Sequence, residues 1–100
     1  MRKAIASEGK DPDSQVSKAA GRAPYYLIFD EGKLAETLKN PFSIGGGGAG
    51  LAVAKMLSDR KADIVIAGSF GPKMARALEE RGMKHSEHTG TVREALEGSK

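Results

Sequence analysis

The chain has no cysteine and no tryptophan, and its aromatic side chains are two tyrosines and three phenylalanines. Without thiols there is no disulfide framework, no Cys-ligated zinc site and no self-contained Cys-ligated iron–sulfur centre. No apolar run approaches the ~18 residues of a membrane span, and no signal peptide is visible, so a cytoplasmic protein without membrane contact is expected. Charge of one sign is scarce as well. Lys and Arg number 16 against 13 Asp and Glu, a net charge of +3, with no run of Lys or Arg. With few aromatics and no stacking array, no nucleic-acid partner is expected.

Catalytic sets are also missing. A two-metal nuclease needs clustered carboxylates, but the Lys3–Ala6 strand carries none and Asp63 lies at the wrong end of the Ile64–Ala67 strand. No Ser–His–Asp set can be argued from spacing, and no Gly-Lys-Ser/Thr follows the glycines, which excludes a P-loop. Gly45, Gly47 and Gly50 satisfy G-x-G-x-x-G, yet neither the first strand of a βαβ unit nor an acidic residue about 20 positions later accompanies them. No enzymatic turnover is expected.

What the chain does have is glycine, and in one place. Ser43-Ile44-Gly45-Gly46-Gly47-Gly48-Ala49-Gly50 puts five glycines in six positions and runs into a helical pattern over Leu51–Arg60. Glycine loses more backbone entropy on folding than any other residue. The run therefore suits positive φ or a ligand approaching bare amides, at a helix start whose free N–H groups favour an anion. The plain alternative is a flexible linker.

Around this stretch the pattern reads as strands and helices in the order β-β-β-α-β-α-β-α. Lys3–Ala6 is a first strand and Ser7–Ser14 a polar turn region. Gln15–Pro24 forms no clear element, and a connection that long is often functional. Tyr25–Phe29 and Leu34–Leu38 form a hairpin about Asp30–Lys33. Ala49, Val53, Met56 and Leu57 give the first helix one apolar stripe, with Lys55, Ser58 and Asp59 on its wet face. Ile64-Val65-Ile66-Ala67 is a continuous apolar run, as in a strand covered on both faces. Ile5, Leu27, Ile64, Val65 and Ile66 are expected to be buried in the sheet, with Leu51–Leu57 supplying the first helix's apolar face. Gly68–Gly71 turns into a second helix opened by Pro72 and ended by Gly82. Lys84–Glu87 is a short fifth strand, and Thr91 with Glu94 forms a capping box for a last helix.

Right-handed crossovers then predict a three-layer α/β, ribonuclease H-like domain, its five-stranded mixed sheet in order 3-2-1-4-5 with strand 2 antiparallel. The carboxyl ends of strands 1, 3, 4 and 5 share one edge, where open α/β sheets bind ligands. Loops 8–23, 39–50, 68–72 and 88–91 converge there, with Lys18, Arg22, Lys39 and Lys73 close by. His85 and His88 are three apart on a strand and point to opposite faces. His88 is the better single metal candidate. The binding candidates are Ser17, Arg22, Gly45, Gly46, Gly47, Gly48, Gly50, Gly68, Ser69 and Gly71.

Several spaced segments carry a resemblance over nearly the whole chain. Ala4–Lys10, Val16-Ser17, Gly21-Arg22-Ala23-Pro24-Tyr25-Tyr26, Gly48-Ala49-Gly50, Ile66–Pro72 and Gly90–Leu96 resemble the dinitrogenase iron–molybdenum cofactor biosynthesis family, which comprises NifX-like proteins and the carboxy-terminal domains of NifB-like proteins. The resemblance implies a single NifX-like cluster-binding domain over residues 1–100. Its implied function is non-catalytic: binding an anionic iron–sulfur or iron–molybdenum cluster precursor and carrying it between assembly proteins of the radical-SAM or ferredoxin type. The chain departs from the family at Ala20, where an aromatic is frequent, and at Gly47, where many members have a His. Any cluster is then held by charge, backbone amides and His88, labile and not tightly bound, in a monomer or weak dimer. The alternative is a regulatory module for a phosphate-type anion or a protein.

Overall fold

In the computed structural model, which describes residues 1–44 and 48–98, the run Ile64–Ala67 is an interior strand of the sheet. This strand, β4, pairs in parallel with β1 (Arg2–Ser7) on one side and with β5 (Lys84–Glu87) on the other. Flanked and covered on both sides, it has no place for polar side chains, which is why the sequence there is unbroken Ile, Val and Ala. Beyond β1 lie β2 (Tyr25–Asp30) and β3 (Lys33–Lys39), each antiparallel to its neighbour. The sheet order is β3-β2-β1-β4-β5, as the crossover argument requires, with β2 the antiparallel strand.

Alternation along the strands builds two apolar layers. Ala4, Ala6, Tyr26, Ile28, Val65 and Ala67 face one way, onto helices α1 (Ala49–Asp59) and α2 (Pro72–Glu80). Ile5, Leu27, Phe29 and Ile66 face the other way, onto Val92 and Ala95 of α3 (Val92–Gly98). Of the strand residues expected to be buried, only Ile64 is half-exposed.

The helix boundaries follow local chemistry. α1 begins at Ala49, the first residue of the apolar stripe and two ahead of the Leu51–Arg60 span, with Gly48 at φ 89° as the N-cap. Its inner face is Val53, Ala54 and Leu57, whereas Leu51, expected on that face, is 52% exposed. Lys55 and Asp59 pair at 3.1 Å along its wet side. Gly82, at φ 79°, follows the end of α2. The capping box forms as expected: Thr91 N donates to Glu94 Oε1 (2.8 Å) and Glu94 N donates to Thr91 Oγ1 (3.1 Å). The Thr91 amide, and then its hydroxyl, hold the Glu94 carboxyl below its ordinary pKa. No helix among the described residues is long and apolar enough to cross a membrane.

Candidate functional site

Because β3 and β4 run parallel to β1, their carboxyl ends, Lys39 and Ala67, share an edge with Ser7 and Glu87. The long 8–23 connection is stitched across this edge by backbone hydrogen bonds. Ser17 N donates to Ala6 O (2.9 Å), Gly68 N to Ser17 O (2.8 Å), Ala20 N to Ser69 O (3.1 Å) and Val16 N to Gly90 O (2.8 Å). Ser69 Oγ adds a bond to Lys18 O at 2.7 Å. A loop that sequence periodicity could not classify is thus fixed by long-range partners. It ends in a single 3-10 turn, Ala20–Arg22.

That turn and the starts of α1 and α2 enclose a cavity of about 440 Å³. Gly48, Ala49, Gly50 and Leu51 form one wall. Ser69, Gly71, Pro72, Lys73 and Met74 form a second, and Ala19 to Arg22 a third. The first intrahelical bond of α1 runs from Ala52 N to Gly48 O, and that of α2 from Ala75 N to Gly71 O. The amides of Ala49, Gly50, Leu51, Lys73 and Met74 precede those bonds, at the positive ends of two helix dipoles. Among the described residues no side chain caps either start. Arg22 and Lys73 supply charge, and none of the ion pairs among the described residues engages them.

One glycine permits this closeness for steric reasons. A Cβ on Gly50 would stand 2.9 Å from Met74 Cβ, and one on Gly21 would stand 3.4 Å from the Gly50 backbone. Bare backbone at Gly50 lets α1 and α2 approach this closely, while the 3-10 turn meets Gly50 at ordinary contact distance.

The expected site residues divide. Arg22, Gly48, Gly50, Ser69 and Gly71 line the cavity. Ser17 is buried and lines a neighbouring groove with Lys18, which the cavity adjoins through Ala19 and Arg22. Gly68 lies under the loop instead, where a Cβ would meet Lys18 Cα at 2.7 Å, so its smallness serves packing. Lys39 lies in a separate groove beside Phe42 and Met56. Gly45, Gly46 and Gly47 fall outside the described residues. His88 is not among the cavity residues. Its Nδ1 hydrogen-bonds Thr89 O at 2.7 Å and its Nε2 abuts Gly98 at the end of α3, on the opposite layer. His85 pairs with Glu79 at 3.0 Å and packs on Phe70. Met74 reads in the sequence as an ordinary inner residue of the second helix, and nothing there marks it as cavity lining.

Among the described residues, no three His, Cys, Asp or Glu side chains are placed to hold a metal ion. The polar groups the cavity offers are free helix-start amides, Arg22, Lys73 and Ser69, set among apolar Ala20, Leu51, Pro72 and Met74. That donor set fits the outer surface of an anion and supplies no protein ligand to a metal centre.

These features define a small ribonuclease H-like α/β protein with an amide- and cation-lined cavity on the carboxyl edge of its sheet. Residues 1–99 match the model of the dinitrogenase iron–molybdenum cofactor family, and the chain belongs to that family. Among solved structures it is similar to the apo form of the orange protein from Desulfovibrio gigas, with 31% identity, 96% of this chain and 83% of that chain covered, and a TM-score of 0.89. It is also similar to a candidate NifB protein of the DUF35 family from Thermotoga, with 33% identity, coverage of 98% and 85%, and a TM-score of 0.84. A candidate dinitrogenase from Methanocaldococcus jannaschii shares the fold, with 14% identity, coverage of 98% and 89%, and a TM-score of 0.64. No curated protein sequence matches the chain.

Proposed function

We propose that this protein binds an anionic iron–sulfur or iron–molybdenum cluster precursor and carries it, without catalysing a reaction, to proteins that assemble the metal cofactor. The observation that carries this reading is the cavity itself. Two uncapped helix starts, Arg22 and Lys73 converge on one space of about 440 Å³. Membership of a family named for the iron–molybdenum cofactor supports the cargo class, and likeness to a protein solved in an apo form supports a ligand-binding role.

Because the chain has no cysteine, the cargo is held through its own outer atoms by amide hydrogen bonds and charge. Such binding is exchangeable and weakens with salt, since exposed charges are screened over ~8–10 Å at ordinary ionic strength. That suits hand-over between assembly proteins of the radical-SAM or ferredoxin type better than storage. His88, on the other layer, is not needed for it.

The test is anaerobic purification from the native host at low salt, with metal analysis and an absorption spectrum. Iron or molybdenum that co-purifies and is lost on raising salt or admitting air is the expected result. Metal-free protein under all conditions, or brown protein with stoichiometric iron after aerobic handling, would count against a labile carrier.

A further inference from the structure

Two polar side chains lie in the interior behind the cavity, Tyr26 at 0% exposure and Asn40 at 1%. Neither lines the cavity. The Tyr26 hydroxyl donates to Ala20 O. Asn40 Nδ2 donates to Ala23 O at 2.9 Å and lies 3.5 Å from Gly21 O. The Asn40 backbone N–H donates to Pro24 O at 2.9 Å, and its Oδ1 accepts from Phe42 N at 2.9 Å. Side chains on β2 and just beyond β3 therefore take up carbonyls of the turn that carries Arg22.

Sheet packing alone would be met by Phe at position 26 and by an apolar residue at position 40, so the polar groups call for another reason. Electrostatics supplies it. A carbonyl oxygen is the negative end of its peptide dipole, and an anion cavity must keep such groups turned away. Each carbonyl bonded to Tyr26 or Asn40 points into the core, toward a residue that does not line the cavity. The same bonds hold Gly21 against Gly50 at the start of α1.

We propose that Tyr26 and Asn40 are positioning residues of the anion site. They aim the carbonyls of the 20–24 turn inward and so leave the cavity to amides and Arg22. The inference rests on the reading of the cavity as an anion site. Burial also pushes the Tyr26 phenol far above its ordinary pKa, so the hydroxyl remains a donor across the neutral range.

The experiment titrates inorganic molybdate, and in parallel phosphate, into wild type, Tyr26→Phe, Asn40→Asp and Val92→Ala, followed by amide chemical shifts. Val92 opens α3 and packs on the opposite face of the sheet, so it controls for lost stability. Tyr26→Phe should bind at least about fivefold more weakly, the scale of one lost hydrogen bond, with the free-state signals of Gly21 and Arg22 displaced. Val92→Ala, though destabilised, should bind as wild type does. Asn40→Asp keeps the acceptor for Phe42 N and removes the donor, and it decides the matter if Tyr26→Phe does not fold. A folded Tyr26→Phe or Asn40→Asp with wild-type affinity overturns the inference, as does affinity that falls equally in Val92→Ala. Wild type that binds neither anion overturns the anion site and this inference together, and the wild-type curve alone identifies that outcome.

Discussion

Replacing Ile66 by Ala should destabilise the protein by about 2–5 kcal/mol, the range for deleting most of a buried aliphatic side chain and leaving a cavity. Ile66 is fully buried on the interior strand β4, with Ile5 beside it in the β1–β4 ladder and Leu27, Val92 and Ala95 in its cluster. Its neighbours are held by strand pairing on one side and by α3 on the other, so they cannot collapse to fill the space. Urea unfolding should show a lowered midpoint with little change in slope. Ile44→Ala makes the contrast, since Ile44 is 94% exposed and its truncation should shift stability by no more than about 0.5 kcal/mol. A loss below about 1 kcal/mol at Ile66 would mean that β4 is not packed into the core on that face.

The second large effect is alkaline. Burial raises the Tyr26 pKa far above the ordinary phenol value, so the folded chain keeps this proton while the unfolded chain releases it above about pH 10. From that pH upward the native state binds more protons than the unfolded state, and stability falls as pH rises. Below about pH 10 the contribution is intact. At up to about 1.4 kcal/mol per pH unit for one proton, the loss between pH 10 and 12 reaches about 2–3 kcal/mol. The measurement is the difference between wild type and Tyr26→Phe, which isolates this one group. The wild-type curve should fall more steeply, and parallel curves would show that the phenol is not held protonated in the core.

What could be read from the sequence was whatever a short window of residues determines. The run at Ile64–Ala67 announces a doubly covered strand, and Thr91 with Glu94 announces a helix start, because each needs only near neighbours. From those elements the crossover rule gives the strand order, and the strand order gives the edge where loops meet. The 3-10 turn at Ala20–Arg22 was not legible, since Tyr26, Asn40 and Ser69 hold it from other parts of the chain. Nothing in the local sequence marks Asn40, just past β3, as a residue whose side chain is buried and bonded. His88 was placed at the right edge, but the edge does not say which layer a side chain joins. Gly68 reads like a ligand glycine and proves to be one that Lys18 packs upon.

The central claim is that two helix starts and the Arg22 turn form one anion site. Following backbone amide signals while molybdate or phosphate is added at low salt tests it most directly. The amides of Gly48–Leu51, of Gly71 with Lys73 and Met74, and of Gly21 and Arg22 should move together with a single affinity, which salt weakens. Those of His88–Gly90, at the end of β5 and beside α3, should stay still. If the first three segments do not respond together to any anion, or if His88–Gly90 responds in their place, the site is not where the helix starts converge.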